Sequence, residues 1–221
     1  AEDPELLRRF ALTLAGLARA RVEARDASAG YLLEDAAREL ERAQAAFPLD
    51  ASLCLEAARC AYYRSDFEAE ERWATAALSI EGQGPDTRTE ALRWLGDAGA
   101  RLIPARAAGD GEAELAGLER TAAALAEVAR GSEADATDWQ SLASFFGATL
   151  RPGEQCAVAA EGLERFPESD ALRAVYAAGA HWVGAPGTLA QTYIELAERH
   201  PDSAASSWYA GWALVNHAEW Q

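Results

Sequence analysis

Apolar side chains recur at helical spacing along this chain in short blocks, and each block ends in a stop. The spacing predicts helices over Ala36 to Phe47, Asp66 to Ile80, Glu154 to Phe166 and Leu189 to His200. Pro48 and Gly82 close the first two, Pro167 and Pro201 the last two, and each pair lies about 34 residues apart. The text at the stops recurs as well: Phe47-Pro48-Leu49-Asp50-Ala51, Phe166-Pro167-Glu168-Ser169-Asp170-Ala171 and His200-Pro201-Asp202-Ser203-Ala204. Proline cannot continue the incoming helix, and Asp or Ser then caps the next one. No run of alternating β-branched residues competes, so the expected class is all-α, and a period of this length with two helices per unit is the mark of a solenoid.

One stretch shows the pattern in full. Trp139, Leu142, Ala143 and Phe146 are followed by Ala159, Gly162 and Pro167, an order of bulky, small, aromatic, small and Pro. With these residues the chain resembles the tetratricopeptide repeat (TPR) family. Residues 51–88 match through Ala57, Ala58, Ala61, Ala74 and Ala77, with Ser65-Asp66-Phe67 at the turn and Gly82 where Pro is usual. Residues 89–135 open with Leu92, Leu95, Gly96 and Gly99 and then run long, while residues 170–203 carry Tyr176, Ala177, Ala190, Ile194, Ala197 and Pro201. Only the second helix of residues 4–50 keeps register, through Ala36, Leu40, Ala43 and Pro48.

The resemblance implies a right-handed α-α superhelix of antiparallel helix pairs. Its units are 4–50, 51–88, 89–135, 136–169 and 170–203, with half a unit at 204–221, all within a single solenoid over 1–221. That last part reads as a first helix (Ser207, Ala210, Gly211, Leu214) followed by Trp220, so the expectation is that more protein or another chain covers Trp208, Trp212 and Trp220. Leu102 to Gly111 breaks the repeat ahead of a long helix from Glu112 to Arg130. It is either an inserted loop or an extension of both flanking helices.

In the TPR family the concave face is lined mainly by the first helix of each pair. Carried over by place in the repeat, that face comprises Arg59, Tyr62 and Tyr63, then Arg93, Asp97 and Arg101, then Gln140 and Ser144, then His181 and Trp182, and finally Trp208, Trp212 and Asn216. The implied use is a groove for a protein or peptide segment, Arg taking carboxylates and the rings taking apolar side chains. The competing placement pairs Arg93 and Arg101 with nearby acids and packs the tryptophans between repeats. The family's carboxylate clamp of paired Lys, Asn and Arg is not found, which disfavours the version that binds chaperone tails.

Composition narrows the function classes. The chain has 221 residues, half of them apolar, and a formal charge of −16, which repels nucleic acid and anionic lipid. That acidity serves either solubility or attraction for a basic partner. All the basic residues are Arg, which a GC-rich genome explains; without Lys there is no Schiff base and no Lys-dependent phosphate loop. The absence of Met leads to the expectation that the segment is processed or excised from something longer.

Catalytic and metal constellations are not seen, and no cofactor is expected. His181, His200 and His217 stand far apart without a ligand motif, and Gly82-Gln83-Gly84 reads as a turn. Glu68, Glu70 and Glu71 follow a turn at a helix start and read as a solvated, dipole-favoured cluster. Cys54 and Cys60 lie too far apart on one helix for a disulfide, so with Cys156 they read as buried thiols of a reducing, cytoplasmic compartment, or a periplasmic or exported one if Ala1 is a mature N-terminus. No stretch is apolar enough to span a membrane. The expected function is a non-catalytic protein-interaction scaffold, with possible self-association through the last helix; the alternative is a sensor or regulatory region of a larger enzyme or regulator.

Overall fold

Each recurring stop becomes the same turn in space. The computed structural model describes residues 3–106, 111–183 and 186–218. At Phe47 the backbone leaves the helix at φ −128°, ψ 68°, and at Phe166 at φ −129°, ψ 65°. After each the chain closes on itself through Asp50 N–H to Phe47 O (3.1 Å) and Ser169 N–H to Phe166 O (3.0 Å), and Ser203 N–H repeats the bond to His200 O at 3.0 Å. The next helix then starts on a side-chain cap: Asp50 accepts from Ser52 N–H and Ser169 from Leu172 N–H.

The helices are α1 (Pro4–Glu23), α2 (Ala29–Ala46), α3 (Ala51–Tyr63), α4 (Phe67–Leu78), α5 (Pro85–Arg106), α6 (Gly111–Arg130), α7 (Ala136–Ala148), α8 (Pro152–Arg165), α9 (Asp170–Trp182), α10 (Pro186–Arg199) and α11 (Ala204–Ala218). No strand occurs among the described residues. The four expected blocks correspond to α2, α4, α8 and α10, though α2 begins seven residues earlier, at Ala29. Ahead of it α1 supplies the partner that the repeat frame did not register. Around Leu102 to Gly111, α5 continues past Pro104 to Arg106 and α6 begins at Gly111, so both flanking helices are extended. Residues 107–110 lie outside the described set, as do Trp220 and the side chains of Leu214 and Asn216.

Neighbouring helices pack in order, α1 on α2, α3 on α4, α7 on α8, with α2 on α3, α4 on α5, α8 on α9 and α10 on α11 between the pairs. The packing forms two compact units, residues 1–124 and 125–221, divided within α6. In the first, Ala11, Ala15 and Ala18 of α1 lie fully buried against Leu33, Ala36, Leu40 and Ala43 of α2, and Leu53, Ala57 and Cys60 of α3 continue the layer. Methyl-sized side chains let the helix backbones approach, while Leu fills the space beside them. The closest approach is at Gly99 of α5, where an added Cβ would lie 2.8 Å from Cβ of the buried Thr121 on α6.

In the second unit Trp139, Leu142 and Ala143 of α7 are buried with Leu163 of α8 and Leu172 of α9, and Gly162 gives Trp139 its room. A second theme is aromatic. Tyr176, Tyr193 and Tyr209, from α9, α10 and α11, stand in sequence with ring centroids 6.0 and 5.6 Å apart. Arg173, 2% exposed, lies 4.5 Å from the centre of the Tyr209 ring, donates to the Pro167 carbonyl and Ser206, and so ties α9 to α11.

The turn inside several pairs needs a left-handed residue, and the chain uses Arg25 (φ 55°), Ser65 (φ 57°) and Leu150 (φ 58°) rather than glycine. Leu150, 86% exposed, carries a strained backbone for no packing return, so Leu150→Gly should raise stability by about 1 kcal/mol in chemical denaturation. Gly99→Ala should lower it by about 1–3 kcal/mol, because Thr121 meets the new methyl with its own Cβ and overpacking outweighs the gain in helix propensity.

Candidate functional site

Residues three or four apart on one helix share a face, and in the first unit an ion pair joins such a face of α3 to one of α5. Arg59 of α3 donates to Glu56, one turn back, at 2.7 Å, and across to Glu90 of α5 at 2.5 Å. Its guanidinium lies 6.0 Å from the centre of Trp94, whose indole N–H donates to the same Glu90 at 3.4 Å. Trp94 meets Tyr62 at 5.4 Å between ring centres, and Tyr62 meets Tyr63 at 5.4 Å. Arg101 completes the strip: it sits 5.1 Å from Tyr62 and 5.2 Å from Phe67, and donates from Nε to Asp97 at 2.6 Å. Arg19 of α1 reaches Glu56 at 3.9 Å from the far side.

The strip therefore brings together five of the expected residues, Arg59, Tyr62, Tyr63, Asp97 and Arg101. Arg93, on the same helix as Asp97, is exposed. Glu56, Glu90, Trp94 and Phe67 were not among the expected set. A signal for them exists in the sequence, since Glu56 precedes Arg59 by three and Glu90 precedes Trp94 by four, the spacings of helix neighbours. Arg59 and Arg101 are already engaged by acids of the chain itself, so a partner's carboxylate reaches either one only by exchange with Glu90 or Asp97. The hydrogen bond from Arg101 to Asp97 raises the Arg101 pKa.

Glu70 feels the charges of Asp97 and Arg101 in the strip, and its placement differs from the solvated one expected. Glu68 is exposed, but Glu70 is 0% exposed and neither of its carboxylate oxygens has a hydrogen-bond partner. The helix start is not a solvated cluster throughout, because the fourth residue of α4 faces α3 and α5 instead of water. Burial pushes the Glu70 carboxyl up to about 8; the charge of Asp97 adds to the rise and Arg101 opposes it.

In the second unit the expected residues occupy separate places on their helices. Gln140 of α7 is half-buried, Ser144 is exposed, and His181 and Trp182 are exposed at the end of α9, Trp182 at 77%. Trp208 and Trp212, one turn apart on α11, are 62% and 44% exposed. Trp208 rests edge-on against Tyr209 at 4.9 Å, so it extends the tyrosine row to the surface. Thus Trp182 and Trp208 do not pack between repeats, whereas Arg101 does pair with an acid. Asn216 has no described side chain. Val183 and Val215, 46% and 63% exposed, follow Trp182 and Trp212 by one and three residues.

Among the described residues no group of His, Cys, Asp and Glu could hold a metal ion, and no helix is long and apolar enough to cross a membrane. Cys54 and Cys60 are buried free thiols and Cys156 is half-buried; burial raises all three, Cys60 to about 11.

The architecture has known counterparts. Among solved structures the chain is similar to the MamA RS-1 ArsTM double mutant, with a TM-score of 0.59, 11% identity, and coverage of 88% of this chain and 97% of that one. It is also similar to TTC0263, a thermophilic TPR protein of Thermus thermophilus, with a TM-score of 0.49, 15% identity, and coverage of 96% and 100%. No protein-family model matches the sequence, and no curated protein matches it. With the helix pairs described above and the likeness to the MamA structure, the fold is TPR-like, an all-α solenoid, as the repeat pattern implied.

Glu70 makes stability depend on pH with a definite sign. Folded, it holds its proton up to about pH 8; unfolded, it releases it in the ordinary carboxylate range. The folded state binds the extra proton across that window, so stability is greatest below it and falls as pH rises toward 8. Glu70→Gln should remove this slope, matching the parent near pH 4 and exceeding it by on the order of a few kcal/mol at pH 8 in denaturation curves.

Proposed function

We propose that this chain is a non-catalytic protein-interaction scaffold that holds a protein or peptide segment along the first-helix faces of its pairs. The observation that carries the reading is the surface exposure of Trp182 and Trp208 at first-helix places. Large rings left in water by a folded chain are characteristic of contact sites, and tryptophan is the residue most enriched among those that dominate binding energy. Around Trp208, α11 contains no Asp, Glu, Lys or Arg, in a chain of formal charge −16, so the helix adds no charged side chain of its own for an apolar segment to desolvate. The strip from Arg59 to Arg101 supports the same use, since its rings are held in place by ion pairs before a partner arrives. The residues proposed to face a partner are Arg59, Tyr62, Tyr63, Arg93, Asp97 and Arg101 in the first unit and Gln140, Ser144, His181, Trp182, Trp208 and Trp212 in the second.

The acidity argues against nucleic acid as the partner. Self-association through α11 is a second mode of the same surface, because two copies repel each other least where neither carries charge. A pull-down with purified chain separates the contributions. Trp182→Ala and Trp208→Ala should each cut partner recovery by about tenfold or more while leaving the thermal midpoint in place, since both rings are exposed. Recovery unchanged in both variants and in Arg59→Ala with Arg101→Ala would sink the reading; loss of a concentration-dependent dimer in Trp208→Ala would assign that ring to self-association.

A further inference from the structure

Two helices of this chain place a polar side chain at the same buried point, and the two differ in one atom that matters. Gln155 is the fourth residue of α8 and Glu70 the fourth of α4, each five residues beyond a left-handed turn residue, Leu150 and Ser65. Gln155 is 6% exposed, and its amide donates to the Val175 carbonyl of α9 at 2.8 Å. Glu70 fills the corresponding place against α5 with a carboxyl that finds no donor. An ionised carboxylate there, with no donor to meet it, is strongly penalised, so Glu70 keeps its proton through neutral pH in this arrangement.

The cation that would satisfy it is close and held elsewhere. Arg101 of α5 acts on Glu70 electrostatically, yet its guanidinium is bonded to Asp97 and lies over Tyr62 and Phe67. Asp97 and Arg101 are the charged groups of α5 that act on Glu70; from α3 the titratable group in the cluster is Tyr62, which acts on Arg101. The Arg101–Asp97 pair is open to solvent, 42% and 37% exposed, and exposed pairs of this kind contribute little. Breaking it is therefore cheap compared with leaving a buried carboxylate unpaired.

We propose that Glu70 and Asp97 compete for Arg101, and that the competition makes α3, α4 and α5 a protonation-controlled latch. With Glu70 neutral, Arg101 stays on Asp97 and covers the Tyr62 and Phe67 rings. Once Glu70 ionises, the guanidinium turns inward to it, Asp97 is left to water, and the two rings lose their cover. Burial and the Asp97 charge both raise the point at which this happens into the mildly alkaline range. The latch is a property of the free chain and does not depend on which segment, if any, the surface binds.

Carbon-13 NMR of the side-chain carboxyls, recorded on the whole chain from pH 4 to pH 10, tests it together with the Arg101 Nε–H resonance. A carboxyl signal absent from Glu70→Gln should titrate in the mildly alkaline range, and the Arg101 signal should move with the same midpoint in the parent and stay still in that variant. Asp97→Asn, which keeps Glu70, guards against a variant that fails to fold: with the rival gone and its repulsion removed, the Glu70 midpoint should fall. A Glu70 carboxyl that ionises in the ordinary range, an Arg101 signal unmoved through the Glu70 titration, or an unchanged midpoint in Asp97→Asn would each overturn the proposal.

Discussion

Close approach of neighbouring helix backbones is the constraint on which the rest of this molecule depends. Where Ala11, Ala15 and Ala18 meet Ala36 and Ala43, the side chains between two helices are methyl groups, and where Gly99 meets Thr121 one of the two helices contributes no side chain at all. Each contact is individually weak, but an interior packed this densely forfeits dispersion energy as soon as a gap opens or an atom is added. The helices are short and none buries its apolar face alone, so each depends on the neighbour that such contacts bring near. The same closeness is why a polar side chain that enters the layer has nowhere to turn, which Gln155 and Glu70 illustrate from two sides.

Those two residues show how a repeat architecture tolerates local differences. At the fourth place of its helix Gln155 completes a hydrogen bond to the next helix and behaves as part of the frame. Glu70 at that place has no donor, and the cost is relieved by holding a proton instead of by a partner. A stack of similar units can accommodate such a difference because each unit touches only its neighbours. The consequence is confined to α3, α4 and α5, where it meets the ion-paired rings of the first unit's surface.

Much of the first unit's strip was legible in the sequence. Arg59, Tyr62 and Arg101 stand at first-helix places, and their neighbours Glu56 and Asp97 lie at helical spacing from them. Glu90 and Trp94 were harder, because their link to Arg59 crosses from α5 to α3 and rests on how those helices cross. The tyrosine row in the second unit was hidden for the same reason: Tyr176, Tyr193 and Tyr209 belong to three helices and share no local spacing. Trp182 and Trp208 were ambiguous on sequence, since a tryptophan at a helical place fits equally well in a core, as Trp139 does at 1% exposure.

What the sequence determined by itself was everything written in short-range chemistry. Proline stops, Asp and Ser caps, helical spacing and the recurring junction text act within a few residues, and they produced the helices, the repeated turns and the TPR-like order. Only the tertiary structure decided which side chains face water. Glu70 follows a helix start as Glu68 does, yet one is sealed and the other solvated, because that outcome depends on where α3 and α5 lie and not on the residues beside it in the chain. Burial is a property of the neighbours that folding brings, and so the charge state of Glu70 and the engagement of Arg101 belong to the assembled packing alone.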